Sequence, residues 1–110
     1  MGAPAVGDVV VVPFPYSDLS GSKRRPAVVV ALADRGNVVM CQITSRAYSG
    51  ASTIGITDES FARGGLSRAS FIRVGKLFTG SASLVLATVG QLDEHTTGRV
   101  RESLAELFAA

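Results

Sequence analysis

Short apolar runs, each closed by turn-forming residues, recur about every ten residues through most of this 110-residue chain, a rhythm that favours strands over helices. The first run, Val9, Val10, Val11 and Val12, is β-branched throughout, too short for a helix, and preceded by a Gly7-Asp8 turn signal. Pro13 and Pro15 then remove two backbone donors, so the segment PFPYSD is expected to leave the sheet or to run along its edge. The next strand is expected over residues 26–32, opening on Pro26, with Asp34-Arg35-Gly36-Asn37 as the hairpin turn into a strand over residues 38–44. In that strand, VVMCQIT, a period of two assigns Val39, Cys41 and Ile43 to a core and Met40, Gln42 and Thr44 to a polar rim.

Beyond Thr44, SRAYSGAS reads as loop, residues 53–57 as a short strand, and ESFARGGL as a turn or single helical turn. Residues 70–77 and 84–89 are the last strand candidates. From Asp93, a plausible N-cap, the pattern changes: Val100, Leu104, Leu107 and Phe108 recur as one face of a helix. Five or six short strands with one terminal amphipathic helix fit a small, strongly bent sheet or barrel better than a sandwich.

At this length one domain covering residues 1–110 is expected, and 46% hydrophobic residues suffice for a modest core. The start, MGAPAVGDVVVVPF, has no basic segment of the kind that opens a secretory signal, and no apolar run reaches membrane-spanning length. The single cysteine, Cys41, excludes an internal disulfide and a cysteine-based metal cluster, and it falls with the core set as a buried thiol. A cytoplasmic protein without membrane association is the expectation. The net charge of +2 is small, yet residues 21–76 hold nine Lys/Arg against three acids, net +6, while the remainder is net −4. A positive patch on a near-neutral protein would distribute its charge in this way.

That patch begins in SGSKRRPAVVV, where Lys23, Arg24 and Arg25 run directly into a strand. A guanidinium is always charged and presents a planar fork to two phosphate oxygens, and a hydroxyl can donate to a third. Arg25 together with Thr44 and Ser45 at converging strand ends therefore makes a phosphate-gripping set. The competing reading is a solvated basic loop and a Thr chosen for its strand propensity.

The run GDVVVVPFPYSDLSGSKRRPAVVV, followed by CQITSR, resembles the MazF/PemK family of toxins from bacterial toxin–antitoxin pairs. The shared pattern is an early Gly-Asp (Gly7-Asp8), a loop, Arg-Pro opening a strand (Arg25-Pro26), and a Thr ending the next (Ile43-Thr44). GGLSRASFIRVGKL and VGQLDEHTTGRVRESLAELF match the family's final strands and helix in order and spacing, so the likeness covers nearly the whole chain. The resemblance implies a mainly β fold, an SH3-like barrel of five to seven short strands with a C-terminal helix, and a homodimer. It implies an mRNA interferase, a toxin that cuts single-stranded RNA sequence-selectively without cofactor or metal and blocks translation. It further implies a cognate antitoxin that neutralises the toxin, and DNA binding through the complex of the two. The family's catalytic pair falls on Arg25 and Thr44. The chain has Pro13-Phe14-Pro15-Tyr16 where many members carry an acid and Pro, and Val74-Gly75-Lys76 where many carry a Gln-containing segment, so no cleavage sequence follows from the likeness.

The chemistry fits those residues. If the ribose 2′-hydroxyl attacks its own phosphate, the RNA supplies the nucleophile; Arg25 would neutralise the charge growing on phosphorus-bound oxygens and Thr44, with Ser45, would donate to one of them. A side chain with pKa above about 12 is a poor general base at neutral pH, so Arg25 is assigned electrostatic stabilisation. Phe14 and Tyr16 are candidate stacking platforms for bases, with Phe14 equally readable as a core aromatic. Lys23, Arg24, Arg46, Arg68, Arg73 and Lys76 are candidate phosphate contacts. The only histidine, His95, lies at the start of the helix, far in sequence from both motifs, and reads as a surface or capping residue. Two rivals remain: a related barrel that poisons DNA gyrase by protein contact, and a barrel that binds RNA without cutting it.

Overall fold

The computed structural model describes residues 3–15, 21–46, 50 and 52–109, leaving aside the side chains of Pro15 and Ser22. The chain forms β1 (Asp8–Pro15), β2 (Ser22–Leu32), β3 (Asn37–Thr44), β4 (Thr53–Ile56), β5 (Phe61–Gly64), β6 (Ser70–Ser81), β7 (Ala87–Leu92) and α1 (Glu94–Ala109). All pairings are antiparallel, in the order β4-β6-β3-β2-β1-β7-β5. The sheet curls into a half-barrel carrying the helix, the mainly β fold that the sequence rhythm implies.

The apolar runs of β1 to β3 are continuous because these strands are buried on both sides. Val9, Val28, Cys41 and Ile43 enter one core with Ile54, Ile56, Ile72, Val74, Leu92 and the helix residue Val100. From the same strands Val10, Val12, Ala27, Val29, Val38 and Met40 enter a second, against Phe14, Phe78, Ala82 and Val85. The expected polar rim of β3 is therefore corrected: Met40 is 1% exposed and Gln42 8%. Burial holds the Cys41 thiol up at about 11, and its Sγ donates to the Val74 carbonyl at 3.6 Å, as suits an inert core thiol.

Pro13 and Pro15 stay in β1, paired with Arg24 and Ser22, but β7 pairs only as far as Val11, so the prolines run along an edge of the sheet, one of the two expected outcomes. Four boundaries differ from expectation, the last strand among them: β7 spans Ala87–Leu92 where residues 84–89 are expected, and Ala82–Leu84 form a 3₁₀ turn. β2 opens at Ser22 rather than Pro26, which puts Lys23, Arg24 and Arg25 on the strand, with Lys23 and Arg25 on one face and Arg24 on the other. The segment ESFARGGL contains a 3₁₀ turn ending at Ser60 and then β5, which Gly64, at φ 63°, closes against β7. β6 extends to Ser81, and between Cys41↔Leu77 and Gln42↔Arg73 its register against β3 shifts, so Val74, Gly75 and Lys76 bulge out of the ladder.

Asp93 caps α1 as expected, its Oδ1 accepting from the Thr96 N–H at 2.8 Å. Hydrogen bonds from Thr96, the side chain first and then the backbone, hold the Asp93 carboxyl below its ordinary range. A depressed folded-state pKa stabilises above the unfolded value of about 3.9, and the benefit is lost as pH falls through the folded value. Asp93→Ala should accordingly lower the thermal midpoint at pH 7, with the gap from wild type closing below about pH 4, as thermal unfolding across pH would show. On the helix face Val100 is buried and Leu104 half-buried, whereas Leu107 and Phe108 are exposed, Phe108 by 72%. No helix among the described residues is long and apolar enough to cross a membrane.

Candidate active site

The register of the sheet sets two cross-strand rows on the face that carries the second core. One runs Val10, Ala27, Gln42, Arg73 and Thr53. The next begins with Val12 opposite Arg25 and ends with Thr44, Phe71 and Gly55. The β2–β3 ladder runs up to Ala27↔Gln42, and two residues beyond that pair Arg25 and Thr44 sit on the same face of their neighbouring strand ends. Both side chains line one cleft, so the two strand ends bring guanidinium and hydroxyl together.

They meet in an open cleft of about 480 Å³. Arg25, Thr44, Ser45 and Pro26 line it, with Lys23, Arg24, Arg46, Gln42 and Arg73 around them. A second cleft of about 270 Å³ shares Arg24, Arg25, Pro26 and Ser45 and adds Leu66, Arg68 and Ser70. Arg25 thus belongs to both. Six cations line the two clefts, and no acid does so among the described residues, which gives the local excess of positive charge that draws a polyanion.

Thr44 Oγ1 accepts from the Arg46 N–H at 3.2 Å, which fixes the hydroxyl and leaves its proton to donate elsewhere. Ser70 is buried and its hydroxyl donates to the Arg68 carbonyl at 3.1 Å, anchoring the turn that presents Arg68 to the second cleft. Arg25 and Thr44 are half-buried, Ser45 and Arg46 exposed. Seated partly among neighbours, Arg25 keeps its charge close to a lower-dielectric wall, where an anion feels it more strongly.

Of the residues expected from sequence, the structure gathers Arg25, Thr44, Ser45, Lys23, Arg24, Arg46 and Arg73 in one cleft and Arg68 in its neighbour. Lys76 sits exposed in the β6 bulge and lines neither. Phe14 packs edge-on to Phe78, with ring centroids 4.7 Å apart, among the residues against the second core. Tyr16 lies outside the described residues. His95 is exposed at the helix start and lines neither cleft. Two side chains of the site face were missed. Phe71, opposite Thr44, lies half-buried over Gly55, where an added Cβ would meet its ring at 3.8 Å. Gln42 is buried in the cleft wall with its Oε1 lacking a hydrogen-bond partner. Reading β3 as alternating core and rim hid Gln42, since a polar residue on a rim needs no explanation.

No curated protein matches the chain. Among solved structures, a MazE–MazF complex from Deinococcus radiodurans superposes with a TM-score of 0.77 at 21% identity, covering 98% of each chain. MazF from the same organism gives 0.77 at 18% identity over 100% of each. An endoribonuclease in complex with its cognate antitoxin from a mycobacterial species gives 0.74 at 15% identity, over 97% of this chain and 96% of that one. At such identities these likenesses establish the fold. The family itself follows from a sequence profile that matches residues 5–108: the chain belongs to the PemK-like, MazF-like toxins of type II toxin–antitoxin systems.

Proposed function

We propose that this toxin is a metal-independent endoribonuclease that cuts single-stranded RNA, mRNA above all, at preferred sequences, and so arrests translation until a cognate antitoxin neutralises it. The observation that carries this reading is the meeting of Arg25 and Thr44 at adjacent strand ends in a basic cleft that no acid lines among the described residues. The 2′-oxygen attacks phosphorus as its proton passes to water in the open cleft; the P–O5′ bond breaks and the 5′-oxygen leaves as a hydroxyl, with Arg25 able to supply its proton. Arg25 neutralises the equatorial oxygens at the transition state while Thr44, held by the Arg46 N–H, donates to one of them, with Ser45 beside it. The products are a 2′,3′-cyclic phosphate and a 5′-hydroxyl end. Phe71 and Tyr16 serve as stacking surfaces and Lys23, Arg24, Arg46, Arg68 and Arg73 track the phosphates.

The single domain works as a cytoplasmic homodimer, for which exposed Leu32, Leu84, Leu86 and Phe108 supply apolar surface. Val9, Val10 and Val12, by contrast, lie within the chain's own cores. An acidic antitoxin segment would complement the basic clefts and compete with RNA.

The test is a cleaved RNA oligonucleotide against the same sequence with 2′-deoxyribose at the cut position, in EDTA. Cleavage of the first alone, with cyclic phosphate ends, supports the reading; cleavage of both removes it. Binding of the uncleavable oligonucleotide should weaken with salt at a log–log slope of about −0.7 per phosphate contacted, and Arg46→Ala should flatten the slope by about that amount, readable by fluorescence anisotropy. A slope unaffected by Arg46→Ala would take that residue off the phosphate track.

A further inference from the structure

Gln42 is 8% exposed, and its Oε1 is buried with no hydrogen-bond partner. Leaving a buried acceptor unpaired costs stability that an apolar side chain of the same shape would not cost, so the position calls for an explanation. Its surroundings offer one. Gln42 lines the same cleft as Arg25 and Thr44, on the sheet face that Thr44 shares, two residues back along β3 and therefore about 7 Å away. Every other polar side chain on that wall is a cation or a hydroxyl, suited to phosphate oxygens. The glutamine amide alone offers acceptor and donor side by side, the complement of a nucleobase edge rather than of a phosphate. The attacking 2′-hydroxyl adjoins the scissile phosphate and so belongs beside Arg25 and Thr44, whereas a base reaches one row further along the sheet, to Gln42.

Resting on the ribonuclease reading above, we propose that Gln42 is a base-reading residue, whose amide pairs with the edge of an unstacked nucleobase next to the scissile phosphate and sets the base preference at one position of the cleaved sequence. The terminal amide torsion of glutamine is soft, so Oε1 turns out to the base at little cost when RNA arrives. The free protein holds the group unpaired, and the correct base satisfies it. A base presenting the wrong order of donors and acceptors leaves the amide unpaired in a filled site, which is how a built polar site discriminates.

The test maps cleavage of one long single-stranded RNA by wild type, Gln42→Leu and Gln42→Glu, with thermal unfolding of each. The expected result is a base preference at one position near the wild-type cut that Gln42→Leu relaxes and Gln42→Glu alters. The Leu variant should cut the wild-type sequence about tenfold more slowly while unfolding no earlier than wild type. Should Gln42→Leu fail to fold, Gln42→Met carries the same comparison. Folded variants that keep the wild-type choice of sites, with relative rates within about twofold, overturn the assignment of Gln42 alone. Absence of cleavage by wild type overturns the ribonuclease reading and this inference with it.

Discussion

Arg25→Ala is expected to slow RNA cleavage by about 10²- to 10³-fold, the cost of removing one group aimed at transition-state charge. Arg25 lines both clefts and lies half-buried at the seam between them, sharing the larger one with Thr44. Its neighbours Lys23 and Arg24 are exposed, and Lys23 is two residues further from Thr44, so neither takes its place. Arg25→Lys should recover little, because an ammonium keeps the charge and loses the planar fork. Thermal unfolding of Arg25→Ala should match wild type, since Arg25 lies in neither apolar core. Single-turnover cleavage rates decide the matter, and a loss under about fivefold would remove Arg25 from the reacting centre.

The second large effect concerns the scaffold. Ile72→Ala should cost about 2–5 kcal/mol, against a total stability of roughly 5–15 kcal/mol for a domain of this kind. Ile72 is fully buried, opposite Ile43 in β3 on one side and Ile54 in β4 on the other, so the lost methyl groups leave a cavity in the middle of three strands. It also lies directly between the Gln42 and Thr44 rows through its pair with Ile43. Urea denaturation should show the midpoint falling at unchanged slope; a loss under about 1 kcal/mol would mean that the core closes over the gap.

The rhythm of short β-branched runs made the sheet legible, because each run is bounded by Gly, Pro or Asp-containing turns that a helix would not carry. The opening of β2 was not legible, since Pro26 reads as a strand's first residue. The β2–β3 ladder begins at Ala27, so Pro26 has β1 as its neighbour on one side only, and an antiparallel ladder uses the N–H of alternate residues there. β5 escaped because its pattern is Gly-rich and mostly exposed, and it is held by β7 rather than by its own sequence. Arg25 and Thr44 were legible as chemistry and through the family likeness, while their apposition comes from the register. Gln42 was not legible: the second core that buries it arises from the curl of the sheet, which a period of two does not contain.

The most direct measurement is incubation of purified protein with a long single-stranded RNA in EDTA, beside Arg25→Ala and Thr44→Ala, with the new ends mapped. The account predicts discrete cuts with 5′-hydroxyl ends, made by wild type and lost or strongly slowed in both variants. Absence of cuts, or cuts indifferent to both substitutions, would contradict it.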